Sequence, residues 1–362
     1  MGIGSVFLWL TILPILSGIY FSIKYVRTSM GEYKKYAKIS TYLTTLIFTF
    51  SFGTFMYHCL TANPDIFYSY YHSLPTFPWF YKLSSVWAGR IGSVFLWIFI
   101  VIASLGITEY WFSKKDTKTQ ELLNIGRPIT LLIILLFTLI LIGSKPFTST
   151  SAELLARAAA QPNIPNDLSI NLLKTVWVRA AGMNSMLLSP WMLVHPPVLF
   201  IGYATFTIPM SASFVYAITG RKDWFKLSKI WSRIGWLFLT IGIGIGALWA
   251  YVTLGWGGYW AWDPVENASL LPWLTGTAFL HLQARYEKTK EYKYLAHAFT
   301  FITFSLVIFA TLITRGGLQI SGSVHAYGGG ISLIKNLLYW TLMGAPLVVG
   351  GVLLWIRYKK EN

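Results

Sequence analysis

Long apolar runs alternate along this chain with short polar stretches rich in Lys and Arg. Nine runs approach the ~20 residues that a helix needs to cross a bilayer. They lie at about 3–23, 40–60, 92–112, 128–145, 192–219, 233–251, 268–285, 296–314 and 334–356. The pattern predicts an all-α, polytopic integral membrane protein with about nine transmembrane helices, forming a single membrane domain over 1–362. The sixth run holds Gly242, Gly244 and Gly246, small residues of the kind that let helix backbones approach closely in lipid. The first run has no basic lead-in and no small-residue cleavage site, so it reads as a retained span.

The polar stretches set the orientation. Connections near 24–38, 114–127, 221–233 and 285–293, with the tail at 357–360, carry 21 of the 29 Lys and Arg. Basic loops stay on the cytoplasmic side, so the N-terminus is expected outside and the C-terminus inside. The net charge of +16 is then accounted for by topology, and no nucleic-acid partner is expected. The segments 61–91, 146–191, 252–267 and 315–333 fall on the external side. The longest, 146–191, is broken by Pro162, Pro165 and Asn166 and predicts short helices lying over the outer face.

Composition agrees with this placement: 55% of the 362 residues are hydrophobic and 12% charged, values of the membrane class. The single cysteine, Cys59, excludes an internal disulfide framework and reads as a small buried hydrophobe. No CxxCH occurs, so the chain does not itself carry a c-type haem. No soluble catalytic domain is present, which confines any chemistry to the membrane or its surface.

One external stretch stands out. Within 252–273, the run WGGYWAWDPVENASLLPW (256–273) packs Trp256, Trp260, Trp262, Trp273 and Tyr259 into eighteen residues. Such rings give broad, rigid contact area, and Gly257 and Gly258 allow close backbone approach, as a planar ligand requires. The competing reading is a membrane-interface aromatic belt. Asp263, Pro264 and Glu266 together read as a helix start with a capping box, which gives Asp263 a positioning role for the Trp loop.

Of six histidines, His195 (in VHPP) and His325 (in SVHAY) fall on the external side and flank the Trp run in sequence. Two neutral imidazoles on either side of an aromatic shelf suit a haem iron, and Pro196 and Pro197 would stiffen the backbone at the first. His281 lies inside a predicted span, about 18 Å along its helix from Ser269 at 1.5 Å per residue. A functional group and a plain interhelical hydrogen bond are both open readings for it. Arg315, just outside the eighth span, suits a propionate carboxylate or a snorkelling role.

The Trp run, together with LVHPPVLFIGY, TAFLHLQ, LITRGGLQISGSVHAYG and YKLSSVWAGRIGSVFLW, resembles the CcmF-type cytochrome c haem lyases of the Trp-rich haem-handling family. The similarity runs from about residue 77 to 330. The resemblance implies haem b as cargo on the outer face, held by His195 and His325 beside the Trp loop, and thioether attachment to CxxCH cysteines of an apocytochrome c. It implies delivery by the haem chaperone CcmE and cooperation with CcmH-like thiol-handling subunits. It also implies a second, permanently bound b haem in the plasma membrane, with His281 as one ligand. In the family the other ligand lies in a C-terminal part that this chain, ending at Asn362, does not match. A second polypeptide or another residue must then supply it, and His297 is the local candidate. The family's Gly-His-Glu-Gly-like element stands here as Gly89-Arg90-Ile91-Gly92. A haem exporter or carrier without ligation activity, a quinone-linked haem reductase and a haem-free transporter with an aromatic gate remain alternatives at this point.

Overall fold

The computed structural model describes residues 2–159, 182–253, 255, 257–315, 318 and 331–362. Every regular element among them is a helix, and the only extended pairing is an isolated bridge between Ile66 and Ser149. In chain order the α-helices are α1 (Ile3–Leu10), α2 (Ile12–Thr28), α3 (Gly31–Leu60), α4 (Phe67–His72), α5 (Trp79–Ala88), α6 (Arg90–Phe112) and α7 (Thr117–Gly143). They continue with α8 (Thr150–Ala159), α9 (Pro190–Thr205), α10 (Thr207–Thr219), α11 (Phe225–Thr253), α12 (Pro264–Thr289), α13 (Lys293–Thr314) and α14 (Leu333–Glu361). A short 3-10 turn at Ser185–Leu187 precedes α9.

Two of the expected spans are interrupted. Pro14 and Pro209 lack the N–H that would reach back to Leu10 and Thr205, and the breaks fall beside those carbonyls, at Thr11 and Phe206. Counting each interrupted pair as one span, eight described segments are long and apolar enough to cross a membrane. The expected ninth, 268–285, forms as α12, which at 26 residues is long enough but falls short in apolarity. Its polar groups are matched inside the bundle. Gln283 donates to Ser228 Oγ at 2.6 Å and accepts from Ser232 Oγ at 3.0 Å. Trp236 Nε1 donates to Thr277 at 2.7 Å, and Thr303 Oγ1 donates to Thr275 Oγ1 at 3.0 Å. Side-chain bonds of this kind join helices where lipid gives no hydrophobic drive. They let α12 be polar and still sit between α11 and α13.

Burial separates an inner from an outer set of helices. In the span Pro190–Thr219, 83% of the apolar window lies inside the bundle, against 22% for Phe225–Thr253. Between α6 and α7, Arg127 donates twice to Glu109 Oε2, at 2.9 and 2.6 Å, and once to Asn124 Oδ1 at 3.0 Å, all fully enclosed. The basic connections gather at one end of the bundle. Arg221 pairs with Glu121 at 2.9 Å and donates to the Lys118 carbonyl. Lys293 pairs with Glu361 at 2.6 Å, and Lys34 donates to Gln120. The Trp-rich segment lies at the opposite end.

Candidate functional site

At the Trp end, α4, α5, α6, α9, α11, α12 and α13 surround a cavity of about 600 Å³, within the ~300–1,000 Å³ of ligand pockets. Its wall combines apolar and aromatic groups, among them Trp87, Phe200 and Tyr203, with a few polar ones. His195, Trp260 and Arg315 all line it. Helix α9 holds His195 by a local device. Pro196 has no N–H to give to the Met192 carbonyl, and Trp87 Nε1 takes that oxygen at 2.8 Å, tying α5 to α9 beside His195. His195 Nδ1 donates to the Gly242 carbonyl at 2.8 Å, and the ring stands edge-on to Trp249 at 5.7 Å. With the Nδ1 proton so placed, Nε2 carries the lone pair, the arrangement of metal-binding histidines.

The glycines of α11 make room for this ring. A Cβ on Gly246 would stand 2.7 Å from His195 Cε1, and one on Gly242 would stand 3.0 Å from Leu199 Cα. Gly244 faces the other way and would meet nothing within 4 Å. The close packing expected from the small residues is thus made by two of the three, four residues apart on one face.

Arg315 is buried, with 2% of its surface exposed. Its Nη2 donates to Ser93 Oγ at 2.8 Å, and the guanidinium lies 5.7 Å from the Phe200 ring centre and 6.0 Å from that of Trp97. Among the described residues its Nε has no hydrogen-bond partner. An enclosed cation with a spare donor beside a cavity suits a carboxylate.

The Trp-rich segment divides. Trp260 turns to the cavity, while Trp262 is 73% exposed and meets Trp260 edge-on at 6.3 Å. Tyr259 stacks on Tyr251 at 4.6 Å. Trp273 stacks on Trp236 and donates to Thr240 Oγ1 at 2.7 Å, away from the cavity wall. Gly257 adopts a left-handed φ of +71° that favours glycine, while Gly258 has its nearest neighbour at 4.0 Å from a built Cβ. Asp263 caps α12 in a capping box. Its Oδ1 accepts from Val265 N at 2.8 Å, and Glu266 Oε2 accepts from Asp263 N at 3.2 Å and Ala261 N at 3.0 Å. Both carboxylates are therefore committed to the backbone that presents Trp260. Trp256 and His325 lie outside the described residues.

The other histidines separate. His281 is exposed on α12 and lines a smaller cavity of about 310 Å³ with Lys229, Arg233 and Trp236, toward the basic end. His297 is not brought to that cavity. It is fully enclosed between α10 and α13, stacked on Tyr216 at 4.1 Å, with Nδ1 3.0 Å from Ser213 Oγ.

His72 was one histidine among six in the sequence, and it too lines the large cavity. Its Nδ1 donates to the Tyr68 carbonyl at 2.9 Å and its ring stacks on Tyr68 at 4.2 Å. Burial pushes its pKa down to about 4 against the upward pull of the Tyr68 carbonyl, so the ring is neutral at pH 7. The one available signal was topological, since the charge pattern assigns 61–91 and His195 to the same expected side. The glycines of Gly89-Arg90-Ile91-Gly92 also find their use here: a Cβ on Gly89 would meet His72 Nε2, and one on Gly92 would meet the Val86 carbonyl.

Residues 87–319 match the family described as cytochrome C assembly protein. That stretch contains His195, Trp260 and Arg315, while His72 precedes it. The chain is 30% identical over 330 residues to the cytochrome c-type biogenesis protein CcmF of Haemophilus influenzae, covering 90% of this chain and 45% of that one. With CcmF of Pseudomonas aeruginosa it shares 33% identity over 317 residues, covering 84% and 43%. The chain thus spans a little under half the length of these curated relatives. The solved structure of a cytochrome c heme lyase CcmF has the same fold, with a TM-score of 0.72 at 21% identity over 97% of this chain and 50% of that one. On the match that starts at the Trp87 wall of the cavity and runs past Arg315, the chain belongs to the cytochrome C assembly protein family.

Proposed function

We propose that this chain works in cytochrome c maturation, holding haem b at the outer face of the plasma membrane and promoting thioether attachment to CxxCH cysteines of an apocytochrome c. The observation that carries the reading is the convergence on one cavity of an Nδ1-anchored His195, the enclosed Arg315 with its spare Nε, and Trp260. These residues fit haem: an imidazole for iron, a cation for a propionate and aromatic walls for the ring. Haem supplies the vinyl groups that accept the cysteine thiols, and the protein supplies binding and orientation. His195 presents Nε2, Arg315 fixes one carboxylate edge, and the capping box of Asp263 and Glu266 holds the Trp260 loop. His325 completes the ligand set in this reading, with Trp256 and Trp262 extending the aromatic shelf.

The concentration of 21 of 29 basic side chains in the connections gathered at one end supports a cytoplasmic placement of that end. The cavity then opens outward, where a chaperone of the CcmE kind delivers haem and CcmH-like subunits present the reduced apocytochrome. His281, exposed beside Lys229 and Arg233, is the proposed protein ligand of a second b haem.

The test is thioether formation on a CxxCH apocytochrome with haem already supplied outside, together with a visible spectrum and pyridine-haem assay of the purified chain. Wild type should retain haem and support the reaction, and His195→Ala should lose most of both. His281→Ala should remove only the second haem. Haem delivery without any dependence of ligation on this chain would favour an exporter or carrier, and reduction of bound haem by quinol would favour a quinone-linked reductase. Colourless wild-type protein from haem-replete cells, with the chaperone present, would end the haem reading.

A further inference from the structure

Among the described residues, three buried donor groups meet around Phe200 at one corner of the large cavity, each with an N–H or O–H to spare. The Arg315 guanidinium lies 5.7 Å from the Phe200 ring centre and 6.0 Å from that of Trp97. Tyr203 has the same two neighbours, with its ring centre 6.2 Å from Trp97 and 6.4 Å from Phe200. Arg315, Tyr203 and Trp97 are 2%, 6% and 1% exposed. Among the described residues Arg315 Nε and Trp97 Nε1 have no hydrogen-bond partner, and the Tyr203 hydroxyl makes no hydrogen bond. The aliphatic hydroxyls of the wall are spent. Thr311, Thr314 and Ser269 donate to the carbonyls of Val307, Ala310 and Glu266 at 3.1, 2.7 and 2.7 Å. Ser93 donates to the Arg90 carbonyl at 3.1 Å while it accepts from Arg315. Glu266, the one carboxylate among the described lining residues, is bound to the main chain of the Trp loop. Buried polar groups are paired in about nine cases of ten or more, so donors gathered without an acceptor mark the place of an acceptor from outside the fold. The cation among them favours an anion, to which N–H and O–H groups bond more strongly than to a neutral oxygen.

We infer that Tyr203, with Trp97 beside it, completes with Arg315 a carboxylate-binding corner, and that this corner sets the direction in which haem lies in the cavity. The inference rests on the proposed haem-holding reading and deepens it. His195, Leu199 and Tyr203 are spaced four apart on one face of α9, and all three line the cavity. Tyr203 is about 12 Å along the helix from His195, at 1.5 Å per residue. Haem carries its propionates on one side of the ring and its vinyls on the other. With the iron at His195 and a propionate at Tyr203 and Arg315, the carboxylate edge is taken up at the buried corner and the vinyl edge is left on the side away from it. Tyr203 is thus a positioning residue, which orients the ring and takes no part in bond making.

The experiment uses the full chain in lipid nanodiscs, titrated with ferric protoporphyrin IX and with its dimethyl ester, in which both carboxylates are masked. Each affinity is compared between wild type and variant, so that partition of the ligands into lipid cancels. Tyr203→Phe keeps the ring against Trp97 and Phe200 and removes only the hydroxyl. It should weaken binding of the free acid about 10- to 100-fold, as loss of a hydrogen bond to a charged group does, and leave binding of the ester unchanged. Arg315→Lys, which keeps the charge but not the fork, should show the same selective loss. Equal weakening of both ligands, the mark of a merely structural tyrosine, overturns the inference while the haem site stands. So does wild-type affinity of Tyr203→Phe for the free acid, which would leave a bound water as the partner of the hydroxyl. Failure of wild type to bind either ligand overturns the haem-holding reading and this inference with it.

Discussion

Replacing Gly246 by Ala is a test of how closely α11 governs the ligand on α9. The added Cβ would stand 2.7 Å from His195 Cε1 and 3.1 Å from Nδ1, whereas carbon atoms rest at roughly 3.5–4.0 Å. The ring must therefore withdraw by about 1 Å. That displacement takes Nδ1 out of reach of the Gly242 carbonyl, now at 2.8 Å, and forfeits a bond worth about 1 kcal/mol net. Loss of an orienting partner typically lowers metal affinity about 10- to 100-fold, and that is the expected fall in haem affinity. The assay is an absorbance titration with haem in nanodiscs, run beside a thermal melt to show that the variant is folded. Gly244→Ala is the internal control, because its Cβ meets nothing within 4 Å; its affinity should equal wild type. If Gly246→Ala binds haem with wild-type affinity and spectrum, or Gly244→Ala weakens binding equally, the reasoning is wrong.

Three other outcomes follow from the same geometry. Glu109→Ala would leave the enclosed Arg127 without its counter-charge and should cost about 3–5 kcal/mol, whereas Glu109→Leu/Arg127→Met should recover most of the apparent melting temperature. Asp263→Ala should remove about 1 kcal/mol of capping energy and speed amide exchange at 261–267. Unchanged exchange there would contradict the capping role. The neutral His72, with its pKa lowered to about 4, stays unprotonated where the unfolded chain takes up a proton. Its contribution is complete above the ordinary pKa of ~6.5 and is lost as pH falls toward 4. The apo protein should lose more thermal stability between pH 7 and pH 5 than His72→Phe does, and equal losses would refute this.

The local features of this protein were legible from residues alone. Apolar run length marked the spans, Pro and Asp263 marked helix starts, and Gly242, Gly244 and Gly246 marked a closely packed helix, of which the structure uses the first and last. Each depends on neighbours within a turn or two, which is the range over which sequence periodicity carries information. The expectation of a ninth apolar span missed the polarity of α12, because the groups that satisfy Gln283 and Thr277 come from another helix. The cavity itself was decided only by tertiary packing. Arg315 could be read as snorkelling until it met Ser93, 222 residues away. Trp87 reaches the carbonyl freed by Pro196 across a separation of 105 residues. His297 is sealed between α10 and α13 by Tyr216 and Ser213, and Trp273 is drawn to Trp236 and Thr240. His72 entered the cavity because α4 is pinned beneath the turn between α5 and α6. Chain pattern thus determined the long helices and which end is basic, but not the short α4 and α5. Contacts between residues far apart in the chain determined which side chains share the cavity, since a cavity is made by helices that are not neighbours in sequence.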